Sequence, residues 1–185
     1  MQNVEGFFMS VGYELRMTVY ASLMAALIAA GAFISIPIGP VPIVMQNFFV
    51  LLSGVLLGKK WGAAGVGVYL LAGTLGLPVF AGGTGGIGRI VGPTGGYLMG
   101  YLPAVFITGL ISEAGAKIKW IELPAMAAGM VVVYGIGVPW LKMVTGLTLD
   151  KALALGLYPF LIGDALKIAA AIPVIKVVRP IIKKT

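Results

Sequence analysis

Six apolar runs, at about residues 17–36, 42–57, 61–77, 95–113, 123–144 and 157–178, leave this chain little choice of solvent. Most approach the ~17–25 residues that a helix needs to cross a hydrocarbon layer. Hydrophobic residues make up 59% of the 185 and charged residues only 10%, whereas charged residues in a soluble domain run near about 25%. One core of this length cannot bury so much apolar surface, so lipid must cover the remainder. In lipid every backbone polar group needs an internal partner, which favours helices. The expected fold is therefore an all-α membrane protein, a single integral-membrane domain of six transmembrane helices. The second run is short and proline crowds its start. We read the stretch ISIPIGPVP, residues 34–42, as a structured loop dipping into the protein, because irregular backbone at that depth needs protein or a water-lined cavity around it.

The net charge of +7 would suggest nucleic acid in a soluble protein. Here the cations flank the apolar runs, where they set membrane orientation instead. With the N-terminus inside, the inner segments hold Arg16, Lys59, Lys60, Lys117, Lys119, Lys176, Arg179, Lys183 and Lys184, and the outer ones Arg89, Lys142 and Lys151. That asymmetry predicts a multi-pass protein of the plasma membrane with both termini cytoplasmic. No cleavable leader is expected, since Glu5, Glu14 and Arg16 interrupt the first 16 residues. The sequence has no Cys and no His, which removes thiolate nucleophiles, disulfides, Cys/His metal sites and imidazole relays. Neither a metal nor a cofactor is expected.

Between the third and fourth runs lies AGGTGGIGRIVGPTGGY, residues 81–97, with GxGxxG at 83–88. A dinucleotide fingerprint follows a buried strand and opens a helix within a βαβ unit, and nothing around this loop supplies one. The P-loop pattern GxxxxGK[ST] is absent. The glycines instead suit backbone folding closely over a small molecule.

Asp164 and Lys167 are the charges that lie well inside a run, in LIGDALKIAAA. Each costs about 2.5–3.5 kcal/mol at a helix centre on insertion scales, and at i and i+3 they share a helix face. Either they neutralise each other as a structural ion pair, or they line a polar site in an interior cavity. Arg89 offers a fork suited to a carboxylate, unless it is an exposed loop cation. Gln46 and Tyr97 are further candidates to line the site, or to join helices by hydrogen bonds. In the first helix Ala21, Ala25 and Ala29 recur every fourth residue beside Ser22, Ala26 and Ala30. These two rows make a smooth face for close helix approach, within the bundle or against another membrane protein.

The blocks PIGPVPIVMQNFFVLLSGVLLG, GLPVFAGG, GRIVGPTGGYLMGY and GDALK, in this order, resemble the BioY family, the biotin-specific substrate-binding (S) components of energy-coupling factor transporters. The resemblance spans residues 21–176 or so. It implies a six-helix S-component bundle with a biotin site near the outer face, covered by loops 1–2 and 3–4. It also implies partners: a transmembrane coupling protein (T component) and two cytoplasmic ATPases. Asp164, Lys167 and Arg89 would bind substrate, and Ala21, Ala25 and Ala29 match the AxxxA coupling surface. A loop Asn that binds ligand in some members has no match in residues 81–88. Biotin offers ureido N–H donors, a carbonyl and a carboxylate, which suits Asp164, Lys167 and Arg89. The competing readings are an ion- or proton-coupled carrier of a small carboxylated vitamin using Asp164, and a lipid-modifying enzyme. The latter lacks a second catalytic group near Asp164, so no enzymatic activity is expected.

Overall fold

The computed structural model describes the backbone of residues 2–37 and 39–183 and the side chains of 11–37 and 39–182. Ile38, Lys184 and the side chains of Glu5 and Lys183, all used above, lie outside the described residues. The order of elements is α1 (Gln2–Phe33), β1 (Ser35–Ile36), β2 (Ile43–Val44), α2 (Gln46–Thr74), α3 (Ile87–Val91), α4 (Gly95–Ala114), α5 (Glu122–Thr145), α6 (Leu149–Gly156) and α7 (Tyr158–Lys183). Among the described residues, Val11–Phe33, Gln46–Thr74, Gly95–Ala114 and Glu122–Thr145 are long and apolar enough to cross a membrane. Leu15, Val19, Val131, Ile162, Leu166 and Val177 stand exposed on the outside of the bundle, where hydrocarbon replaces water as their solvent.

The helix α2 is two limbs rather than one rod. Gly58 has φ 78° and ψ 179°, a conformation suited to glycine. A Cβ on Gly62 would lie 3.0 Å from the Cα of Gly54. Residues eight apart in one straight helix are about 12 Å apart, so the chain reverses at Gly58 and the limbs pack antiparallel. Together with α1, α4, α5 and α7 they make six passes. The turn is fastened by Glu113, which accepts from the Lys59 backbone N–H at 2.9 Å and pairs with the Lys59 ammonium at 3.5 Å.

Glycine sets how closely these helices approach. A Cβ on Gly54 would lie 2.7 Å from the Val105 carbonyl oxygen and 3.2 Å from the Gly109 nitrogen, both backbone atoms that cannot swing aside. Gly54→Leu should therefore push α2 off α4 and cost about 1–3 kcal/mol. A thermal unfolding midpoint in detergent equal to that of the unaltered protein would contradict this packing.

Three features differ from the sequence expectation. β1 and β2 form a small antiparallel ladder, pairing Ser35 with Val44 and Ile36 with Ile43, so α2 starts at Gln46 rather than at residue 42. The prolines at 37, 40 and 42 confine such pairing to a short ladder. α6 was not anticipated, because eight residues are too few to register as an apolar run. Finally, Ala21 and Ala25 are buried, at 5% and 8% exposure, and Ala29 is half-buried. A Cβ on Gly65 would lie 2.7 Å from the Ala21 carbonyl oxygen. That face of α1 packs on α2, so the surface expected to meet a partner is turned inward. The neighbouring Ser22, Ala26 and Ala30 are the small residues left exposed.

Candidate substrate-binding site

At the end of the bundle away from Gly58, a narrow cleft opens between the β1–β2 hairpin, the glycine-rich loop, α2, α4, α5 and α7. Its walls include Gln46, Asn47, Phe80, Arg89, Tyr97, Tyr101, Tyr134, Phe160 and Lys167.

The floor is a closed polar cluster. The Lys167 ammonium donates to the Val44 carbonyl at 2.7 Å, to Asn47 Oδ1 at 2.9 Å and to Asp164 Oδ1 at 3.0 Å. Those three bonds use all three of its donors. Asp164 also accepts from Asn47 Nδ2 at 2.8 Å and from the Tyr134 hydroxyl on its other oxygen. Asp164 is 5% exposed. A carboxylate so placed needs this many partners, since a buried charge without them is very costly. The cluster joins α7, α2, α5 and the hairpin, so the same bonds shape the cleft and hold its roof to its floor.

Aromatic rings form the sides. Tyr97 and Tyr101 stand four residues apart on α4, hence on one face. Tyr134 meets Tyr97 edge-on, with centroids 6.4 Å apart, and lies 6.5 Å from Phe160. The Tyr97 hydroxyl donates to the Gly156 carbonyl at 2.9 Å, tying α4 to the end of α6. Gln46 donates to the Tyr69 hydroxyl at 2.7 Å, and the Tyr69 ring packs edge-on against buried Phe80, 5.6 Å away. Phe80 in turn anchors the glycine-rich loop. Its backbone pairs with Thr84 across a turn in which Gly82 and Gly83 have φ 73° and 69°, values that explain two of the glycines.

The GPTGGY block has a packing role. A Cβ on Gly96 would lie 2.7 Å from Trp140 Cγ and 3.0 Å from the Ile136 carbonyl, while Trp140 Nε1 donates to the Gly92 carbonyl at 2.9 Å. These glycines bring the start of α4 against α5 and so place Tyr97 at the wall. Arg89, on the short α3, reaches the mouth of the cleft, half-buried. Among the described residues it has no carboxylate within ion-pair distance.

Of the residues singled out in the sequence, Gln46, Arg89, Tyr97 and Lys167 line this one cleft. Asp164 belongs to the same cluster but lies a layer behind it, reaching the cleft through Lys167, Asn47 and Tyr134. The sequence reading did not select Asn47, Tyr101 or Tyr134. Tyr101 was findable, because its spacing from Tyr97 puts it on the same face. Asn47 and Tyr134 had no such signal: each is one polar group in an apolar helix.

Taken together, these are a membrane-embedded helical bundle and a cleft at one end, with polar groups at floor and mouth and aromatic rings between. Residues 3–184 match the profile of the BioY family, and the chain belongs to that family. It is 43% identical to the biotin transporter BioY of Thermotoga maritima over 85% of this chain and 92% of that one. It is likewise 43% identical to a probable biotin transporter BioY of Pyrococcus horikoshii, over 82% of this chain and 88% of the relative. Its fold matches the crystal structure of the S-component for biotin from an ECF-type ABC transporter, with a TM-score of 0.83 at 32% identity over 90% of this chain and 92% of that one.

Proposed function

We propose that this chain is the biotin-binding S component of an energy-coupling factor transporter. It captures biotin in the cleft and passes it inward, and is not an enzyme. The observation that carries this reading is the placement of complementary groups: a charged amide cluster at the floor, aromatic walls, and a lone guanidinium at the mouth. Biotin has the matching order, with a ureido ring at one end, an apolar bicycle between, and a carboxylate on a flexible tail. The ureido carbonyl takes a Lys167 N–H in place of a protein acceptor such as the Val44 carbonyl. The Gln46 amide oxygen accepts a ureido N–H, while Asn47 Oδ1 stays engaged by Lys167 and the Phe48 backbone N–H, and Arg89 receives the carboxylate as a bidentate pair. Asp164 pairs with Lys167 and holds Asn47 in orientation.

Arg89 separates this arrangement from general charge attraction. Arg89→Ala should weaken biotin about ten- to hundredfold, the equivalent of losing a charged hydrogen bond. It should leave biotin amide nearly unaffected. Calorimetric titration of both ligands reads the difference, and an equal loss for the two would assign Arg89 to loop structure instead.

The energy for uptake comes from outside the chain, from a coupling protein and two ATPases. Intramembrane docking uses the exposed row Ser22, Ala26 and Ala30, where small side chains permit close helix approach. Both termini face the cytoplasm, with the cleft outward. The positions of Arg16, Lys59, Lys60 and Arg179 at the end of the bundle opposite the cleft support this orientation.

A further inference from the structure

At the end opposite the cleft, the α4–α5 connection folds against α7 and leaves a second cleft, lined by Ile118, Lys119, Trp120, Ile172, Ile175 and Lys176 among others. Trp120 is held there with φ 67°, the non-glycine residue with positive φ among the described residues. A bulky side chain adopts that backbone region only where its surroundings hold it. Two ammonium groups lie near its ring, Lys176 at 4.6 Å and Lys119 at 5.5 Å from the centroid. The nearby carboxylate, Glu122, is committed to Arg179. Among the described residues neither lysine has an acidic partner. Two unneutralised cations and a half-exposed tryptophan thus open beside apolar walls.

We propose that this cleft binds the phosphate headgroup of an anionic phospholipid, with the lipid's acyl chain lying along α7. Charge complementarity requires an anion: two like charges held near one ring repel until a negative group lies between them. The apolar walls require that the anion be attached to hydrocarbon. Ile168 and Ile172 precede Lys176 at four-residue steps along one face of α7, with exposed Ala165 and Ala169 beside them, so one molecule can fill both parts. A soluble phosphate would leave the isoleucines unused. Tryptophan with flanking basic residues is the combination that settles at the headgroup level of a bilayer. Arg179 is secured elsewhere, by Glu122 and by Ser112 Oγ at 3.2 Å, which leaves Lys119 and Lys176 as the ligating pair.

The test is native mass spectrometry of the protein released from vesicles of phosphatidylglycerol and phosphatidylcholine. Lys119→Gln/Lys176→Gln is compared with a control of equal charge loss at the other end, Lys142→Gln/Lys151→Gln. The expected result is retained phosphatidylglycerol in the unaltered protein and control, and roughly thirtyfold weaker binding in the first variant, from two basic contacts at an anionic site. A second arm needs no charge substitution: brominated phosphatidylglycerol should quench tryptophan emission more than brominated phosphatidylcholine, and Trp120→Phe should remove the excess. Equal retention in both variants would overturn the proposal and leave the cleft to a protein partner. Equal loss in both would overturn it in favour of bulk charge, and competition by soluble glycerol phosphate would overturn the lipid assignment.

Discussion

Replacing Lys167 by methionine should abolish tight biotin binding and destabilise the protein at once. Methionine keeps the length of the side chain but none of its three donors. The Val44 carbonyl, Asn47 Oδ1 and Asp164 Oδ1 each lose a hydrogen bond. The larger cost falls on Asp164, left as a buried carboxylate facing only Asn47 and Tyr134. Breaking one side of a buried pair costs about 3–5 kcal/mol, enough to lower the unfolding midpoint by many degrees. Binding should fall about a hundredfold or more, because the ligand's carbonyl loses its donor and the hairpin loses its tie to α7. The double variant Lys167→Met/Asp164→Leu separates the two effects. Removing the orphaned charge should recover most of the stability without recovering affinity. If affinity returned together with stability, Lys167 would be a support for the fold and not a contact for the ligand.

Ala26→Trp should do the reverse, sparing the cleft and halting transport. Ala26 is exposed on α1, in the row beside buried Ala25 and about 100° around the helix from it. An indole there holds an approaching helix away from the close contact that alanine permits. Biotin binding by the purified variant should match the unaltered protein. ATP-dependent uptake by the reconstituted complex should fall at least about tenfold, equivalent to ~1.4 kcal/mol of docking energy. Ala25→Trp offers the contrast: that side chain is 8% exposed and packs on α2, so the substitution should impair folding and binding together. Uptake unaffected by Ala26→Trp would place the coupling surface elsewhere.

How far the sequence could be read follows from what lipid demands. Hydrocarbon imposes a length on every pass, so apolar runs and their basic flanks were enough to predict six helices and a membrane setting. The charged pair in the sixth was legible for the same reason, since a solvent without water makes Asp164 and Lys167 conspicuous. Matters decided by the neighbour across the gap were not legible. The spacing of Ala21, Ala25 and Ala29 predicts a smooth stripe equally well for the inner row and the adjacent one. It is Gly65, forty-four residues beyond Ala21, that draws the first row inward. Spacing likewise put Asp164 on the same face as Lys167 but could not show that Asn47 and Tyr134 come between it and the cleft. Those contacts span 117 and 30 residues of sequence. The glycine loop misleads in the other direction. GxGxxG matches a phosphate-binding pattern, yet here Gly83 serves a tight turn, and the following GPTGGY serves contact between α4 and α5.

The claim that joins fold to function is that the cleft recognises a ureido ring at its floor and a carboxylate at its mouth. Calorimetric titration of the purified protein with biotin, and with lipoate, tests it most directly. Lipoate carries the same valerate tail on a small sulfur ring but has no ureido group. Saturable binding of one biotin per chain is expected, with lipoate weaker by several decades, because buried polar groups left unpaired discriminate by about 10⁴–10⁵. Lipoate binding as tightly as biotin, or no saturable binding of biotin, would contradict the account.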